Sequence, residues 1–324
     1  MQHHETHDRW YRSPVPADEL KKLHHRSDWQ AWCRLLGHLA ALLVSGVVFW
    51  HCTRSGHWIF AAVVLLWHGM VFSFLGYAGA CHELSHGTVF RSRRWNQFWL
   101  NLLSFLVWTN QSWFVRSHRL HHRHTLHAGL DSEIPTTRCL TIWQLLLRGV
   151  LDPRRLVRTV RTQWLNACGV FPGAVRSGVL PEHDSAGREE VCRTARVMLA
   201  GHVALLSLFL LTGAWQLVLL ISLASFIGNG PSILLASAQH CGRPAATQDF
   251  RDNSRTVLLP GWLSFLYWNM NYHIEHHMYP GVPCYRLPAL RSVLADDLPA
   301  ATVGLTGVLA EFRRDLHSPH TGGC

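Results

Sequence analysis

Acidic side chains are scarce in this chain. Twenty Asp and Glu stand against 30 Lys and Arg in 324 residues, and charged residues total only 15%, well below the roughly 25% of an ordinary soluble protein. The imbalance leaves a formal net charge of +10 and a pI near 9.5. Such a balance points to an anionic membrane surface or an acidic partner. Nucleic acid is disfavoured, because the basic residues flank apolar stretches and no recognised nucleic-acid motif is present. Paired cysteines are also missing. Nine cysteines are scattered singly from Cys33 to Cys324 without one C-x-x-C, which argues against a zinc ribbon or a disulfide framework and reads as isolated thiols in a reducing compartment. No haem, flavin or iron–sulfur motif occurs. Met1 to Glu19 is polar and His-rich without an apolar core, so no cleaved signal peptide is expected.

What is present is a set of apolar blocks. Mean hydropathy is only +0.05, an average over strongly apolar and strongly basic segments. Leu35–Trp50 and Trp58–Ala80 are joined by a seven-residue polar turn; Val197–Leu211 and Trp215–Ala238 are joined by Thr212-Gly213-Ala214. These lengths suit membrane spans. Trp32, Trp50, Trp58 and Trp215 mark their edges, as at bilayer interfaces. A break is expected in the last block at Gly228-Asn229-Gly230-Pro231. His68 lies inside the second block, either as a functional group or as a neutral histidine bonded to a neighbouring helix. Gln97–Trp113 is interrupted by Asn101, Ser104, Asn110 and Gln111 and reads as interfacial or re-entrant. Thr141–Trp164, with Arg148, Arg154, Arg155, Arg158 and Arg161, is a basic amphipathic stretch suited to anionic headgroups.

Arginine bias orients these blocks, since the two hairpin turns hold only Arg54 and the positive-inside rule makes both termini cytoplasmic. The expected fold is an all-α integral membrane protein, with four transmembrane helices in two hairpins (about 33–50, 58–80, 197–211 and 215–238). A cytoplasmic helical cap would hold a His-rich dimetal site. Residues 1–31 form a cytoplasmic arm, 32–290 the membrane domain and 291–324 a cytoplasmic tail.

The cap carries the chemistry. Of 24 histidines, eight fall into three clusters: His82 and His86; His118, His121 and His122; His273, His276 and His277. Spacings of i, i+3 and i+4 place them along one side of a helix. Histidine is the commonest metal ligand, and eight donors exceed the four that one zinc takes. They suit two first-row ions, and ligand type alone does not choose among iron, copper, nickel and zinc. The first pair is expected on a direct continuation of the second span. His124 and His127 should face elsewhere. Glu83 and Glu275 either orient an imidazole or form helix-surface salt bridges, and Asp131 and Glu133 could orient imidazoles from the loop. His3, His4, His7, His24 and His25 lack fixed helical spacing and are expected at the surface.

His82-x-x-x-His86, His118-x-x-His121-His122 and His273-x-x-His276-His277, with Asn271-Tyr272 before and Tyr279-Pro280 after the last, resemble the three histidine boxes of the membrane fatty acid desaturase and hydroxylase superfamily. The resemblance covers roughly residues 60–290. It implies two iron ions that use O₂ and two external electrons to oxidise an unactivated acyl C–H bond, giving a double bond plus water, or an alcohol. It makes the eight box histidines iron ligands, adds His240 from the segment before the third box, and makes this segment of chain a desaturase domain. The substrate would be a lipid or fatty-acyl chain in the membrane, and the electron donor a separate ferredoxin or b-type cytochrome with its reductase, docked on the Arg-rich face. Desaturation leads; hydroxylation on the same scaffold is the alternative. A metal transporter is remote, because the clusters lie outside apolar blocks that contain no carboxylate.

Overall fold

The computed structural model describes residues 10–133, 141–173, 178–245 and 247–316. His3, His4 and His7 therefore lie outside the described residues, while His24 and His25 are exposed as expected. After a short α1 (Ala17–Leu23), the chain enters α2 (Asp28–Arg54), capped by Ser27, whose side chain accepts from the Gln30 N–H. Its 27 residues rise about 40 Å, enough to cross a bilayer core. The other helix of that length is α9, described below. In α2 the pattern is inside out: Leu36, Leu43, Val44 and Val47 are exposed, and His38 and Ser45 are buried.

The second apolar block is not one helix. α3 (Trp58–Ser73) stops after 16 residues, and a separate α4 (Ala80–Ser85) follows a turn. The Ala80 and Cys81 N–H groups donate to the Phe74 and Leu75 carbonyls across that turn, both at 2.9 Å. A methyl at Gly79 would overlap the Phe74 carbonyl, so glycine permits the close return of the backbone. The first histidine pair thus lies on its own short helix and not on an extension of the span.

α5 (Arg93–Leu106) and α6 (Gln111–His124) follow. The interrupted stretch at 97–113 thus contains most of one 14-residue amphipathic helix, with Trp95, Phe98 and Leu102 exposed. The basic stretch forms α7 (Ile142–Val150) and α8 (Pro153–Ala167), whose Trp143, Leu147, Val157 and Trp164 point outward. α9 (Ser185–Leu211) is capped by Asp184, runs 27 residues, and exposes Val197, Val203, Leu206 and Leu210. Among the described residues, α2 and α9 are the helices long and apolar enough to cross a membrane.

The fourth block is broken well before its glycines. α10 (Trp215–Leu217) passes into a π-helical turn (Val218–Ser222) and a 3₁₀ turn (Ala224–Phe226), and only α11 (Gly230–Ala238) is regular again. The extended piece between them pairs with the α7–α8 link. Asp152 N–H donates to Phe226 O at 2.9 Å and Gly228 N–H to Val150 O at 3.0 Å. Carbonyls released by the irregular turns are met by side chains: Leu220 O by His68 Nε2 at 2.9 Å, Ser222 O by Trp108 Nε1 at 2.8 Å, and Ser225 O by Arg155 Nη1 at 2.6 Å. Unpaired backbone in an apolar setting costs several kcal/mol per group, so these side chains are what make the break tolerable. His68 also meets Ser45 Oγ at 2.8 Å, which makes it the helix-bridging neutral histidine. The buried His38 is similar, receiving the Trp268 indole N–H on Nδ1 at 3.0 Å and meeting Val71 O with Nε2 at 2.9 Å.

The rest of the fold is short pieces that close the cap: α12 (Phe250–Asn253), α13 (Gly261–Leu266), α14 (His273–Met278), α15 (Leu287–Val293) and α16 (Gly304–Leu316). Strand structure among the described residues is limited to a two-residue parallel ladder of β1 (Val257–Leu258) with β2 (Thr302–Val303) and three isolated bridges. Among the described residues six cysteines are free thiols, but Cys241 is disulfide-bonded, which corrects the expectation of isolated thiols at that position.

α3 meets the break backbone to backbone at Gly69, where a methyl would collide with the Ile227 carbonyl. Gly69→Ala is therefore expected to lower the melting temperature in detergent, with an overpacking cost of about 1–3 kcal/mol. Gly261→Ala, which faces open space, should be neutral or slightly stabilising. Equal melting of the two variants would refute the backbone contact.

Candidate metal centre

α4, α6 and α14 converge and bring nine imidazoles together. They form two groups, in each of which the candidate donor atoms lie within 4.8 Å of one another: His82, His86, His118, His122 and His276 in one, His121, His240, His273 and His277 in the other. The division follows from helix geometry. Residues four apart share a side of the helix, whereas a residue and its neighbour diverge by about 100°. So His118 and His122 serve one group and His121 the other, while His273 and His277 serve one and His276 the other. Each triplet straddles both groups, and the His82–His86 pair enters one of them. All nine histidines singled out from the sequence are brought together here, including His240, which lies just beyond α11.

The close contacts are between Nε2 atoms. They measure 3.0 Å for His82–His276, 3.2 Å for His86–His118, 3.0 Å for His118–His122 and 3.2 Å for His122–His276. In the second group they are 2.9 Å for His240–His273 and 3.0 Å for His273–His277. Nitrogens bound to one ion at about 2.1 Å and at right angles would be about 3.0 Å apart, so these spacings fit the edges of coordination shells. Burial holds most of the rings neutral, the form that offers a lone pair. His86 is pushed down to about 4 and His240 to about 3 by burial, and His82, His118, His122, His273, His276 and His277 lie well below 6.5 for the same reason, reinforced by neighbouring imidazoles. At His121 burial works against the charge, but Glu133 and Asp131 outweigh it and its pKa is raised.

Outer contacts aim these rings. Asp131 Oδ2 meets His121 Nδ1 at 2.9 Å and is itself held by the Leu126 N–H, while Glu133 Oε2 lies 3.4 Å from His118 Nδ1. Main-chain carbonyls do the same elsewhere: Tyr77 O is 3.2 Å from His82 Nδ1, and Asn253 O is 2.8 Å from His240 Nδ1. Each acceptor fixes the Nδ1–H tautomer and turns Nε2 inward. Buried Glu83 places Oε1 3.3 Å from His276 Nδ1, and burial raises its pKa to about 8. Glu275 meets no imidazole. It is buried, accepting from Thr256 Oγ1 at 2.6 Å and from Arg291 Nη1 at 2.7 Å, so its ion pair is internal and not on the helix surface. His124 and His127 stay outside both groups, partly exposed.

The two groups differ in access. His86 and His122 are partly open, whereas the four-histidine group is wholly buried. Its roof is Phe250, 5.0 Å from the His277 ring, with Trp10 stacked on Phe250 at 4.4 Å. Neither residue, nor the Asn253 and Tyr77 carbonyls, was singled out in the sequence. Only Tyr77 stood near enough to a box, five residues before His82, to be found that way.

Residues 56–307 match the profile of the family described as Fatty acid desaturase. Among curated proteins, the chain is 28% identical over 247 residues to the human sphingolipid delta(4)-desaturase/C4-monooxygenase, covering 71% of this chain and 67% of the human protein. It is 29% identical over 225 residues to the rat protein of the same description, covering 66% of this chain and 60% of that one. With the sphingolipid delta(4)-desaturase of Komagataella phaffii it shares 25% over 224 residues, 66% of this chain and 56% of the relative. The matched region therefore spans little more than half to two thirds of these relatives.

Imidazoles held neutral by the fold bind fewer protons there than in the unfolded chain. Their depressed values mean that stability is present above about 6.5 and is lost as pH falls through that value toward about 4. The metal-free chain is expected to melt progressively lower from pH 7 to pH 5. A melting temperature flat across that range would contradict the buried, neutral cluster.

Proposed function

Because the chain belongs to the fatty acid desaturase family, we propose that it is a membrane-bound oxidoreductase that desaturates a lipid chain at a pair of iron ions. The observation that carries this reading is the division of nine buried imidazoles into groups of five and four. One ion would be held by His82, His86, His118, His122 and His276, and the other by His121, His240, His273 and His277. An imidazole set does not by itself select iron; the family does. When bound, the ions supply the O₂ chemistry that removes hydrogen from an unactivated C–H bond. The chain contributes orientation through Asp131, Glu133, Glu83 and the Tyr77 and Asn253 carbonyls, and the Phe250–Trp10 roof excludes water from the four-histidine side.

The membrane reading rests on α2 and α9, which expose apolar residues such as Leu43, Val47, Val203 and Leu210 and bury His38, Ser45 and His202. Four passes follow if α3 and the broken fourth block cross as a packed pair, with both termini and the histidines on the cytoplasmic side by arginine bias. Electrons would come from a separate acidic carrier, a ferredoxin or a b-type cytochrome, meeting exposed arginines such as Arg119 and Arg123. The names of the relatives suggest the substrate: a sphingoid lipid, oxidised at its fourth carbon. Those of the mammalian relatives also carry a C4-monooxygenase activity, which keeps hydroxylation as the second reading.

Metal analysis of the purified chain is expected to return two irons, and His276→Ala, which removes the ring between His82 and His122, should abolish turnover while the protein still inserts. A single zinc per chain would overturn the di-iron assignment. Lipid mass spectrometry after heterologous expression is expected to show saturated sphingoid lipids that have lost two hydrogens. Gain of one oxygen would select the monooxygenase reading, and oxidation confined to plain fatty-acyl lipids would rule out the sphingoid substrate.

A further inference from the structure

The structure also holds a guanidinium that no part of the metal centre uses. Arg155 stands at the start of α8, its Nη1 donating to Ser225 O at 2.6 Å and its plane over the Phe226 ring at 5.1 Å. With the Asn229 amide turned to satisfy both its neighbours, Asn229 Oδ1 accepts from the same Nη1 at 2.9 Å. Asp152 is near, but one of its oxygens caps α8 through the Arg155 N–H at 2.9 Å. Among the described residues no carboxylate pairs with the Arg155 guanidinium, and its Nε and Nη2 have no protein acceptor. A half-buried guanidinium with an open donor edge is costly unless something completes it.

Tyr77 is within electrostatic reach of that guanidinium, its hydroxyl beside the Thr109 side chain. The residue is 46% exposed, although it adjoins the centre: its carbonyl holds His82, and its ring packs at 4.2 Å on Phe114, which stacks on His118 at 5.1 Å. A partly exposed tyrosine that adjoins the histidines thus stands within electrostatic reach of a guanidinium with an open donor edge.

We propose that Arg155 and Tyr77 hold the polar head of the lipid, the guanidinium edge donating to a hydroxyl or amide oxygen of the head. The inference rests on the sphingoid-lipid reading. Oxidation at the fourth carbon leaves only a few bonds between head and reacting C–H, so a head site for such a lipid has to adjoin the metal ligands. A desaturase acting mid-chain would instead need its head site far from them. Arg155 is in this sense a positioning residue, one that fixes which carbon faces the histidines.

Binding of N-palmitoyl sphinganine to the metal-free full-length chain tests this without turnover. Arg155→Gln is expected to weaken binding about tenfold or more, as for loss of a hydrogen bond to a charged group. Arg155→Lys, which keeps the charge but not the fork, should restore part of it, and Tyr77→Phe should weaken it less. Hexadecyl palmitate, which has two comparable chains but neither hydroxyls nor amide, should bind wild type and variants alike. In the iron-loaded enzyme the Arg155→Gln effect should appear in KM more than in kcat. Equal weakening for both lipids would reduce Arg155 to a tie across the break in the fourth block, and unchanged binding of N-palmitoyl sphinganine would overturn the head site outright. Should the loaded wild type leave sphingoid lipids untouched, the substrate reading falls, yet the binding comparison still decides whether these residues recognise a polar head.

Discussion

Imidazole nitrogens can face one another at about 3 Å in a dry interior only while they are neutral. Most of the cap is arranged to meet that condition. Carboxylates from the 126–133 loop hold His121 and His118, main-chain carbonyls hold His82 and His240, and Glu83 reaches His276 from another helix. A charged ring at any of these sites would repel its neighbours across a low dielectric. His121 is the exception, and it is the ring with two carboxylates close by.

Bringing three helices to one point has a structural consequence below the cap. α3 ends early so that α4 can turn across the top, and the fourth block unwinds to let the α7–α8 link pair with it. Both interruptions free backbone groups where water is scarce. The fold answers with polar side chains aimed at individual carbonyls, His68, Trp108 and Arg155, and with glycines that let backbones touch. The irregular segments are therefore where α3, α7 and α8 lock together beneath the histidines, not defects in otherwise plain spans.

Much of the metal centre was legible in the sequence because helical spacing is local. Three clusters at i, i+3 and i+4 announce shared sides of helices whatever the tertiary fold, and apolar blocks announce themselves by length. Which rings from other helices complete each group was not legible, since it depends on how α4, α6 and α14 meet. Nor was the end of α3 at Ser73. Hydropathy continues to Ala80, and it is blind to a turn made possible by close backbone approach at Gly79. Glu83 shows the same limit. Its spacing turns it from the histidines of its own helix, and its partner His276 lies 193 residues away on another. Glu275, by contrast, meets no imidazole and is buried against Thr256 and the half-buried Arg291.

The two halves of the centre are unequal, and the inequality has a direction. Five donors lie on the side where His86 and His122 are partly open and Tyr77 faces outward. Four lie on the side sealed by Phe250 and Trp10. The half with fewer protein donors is thus also the more deeply buried one. Trp10 precedes the 56–307 region that matches the family. Its seal is made by a segment pinned through the Tyr11–Gln248 backbone bond and the contact of Tyr11 with Arg251. With His86 and His122 partly open on one side and Phe250 and Trp10 stacked over the other, the nine imidazoles are covered unequally, and exchange with solvent is easier at the five-histidine group.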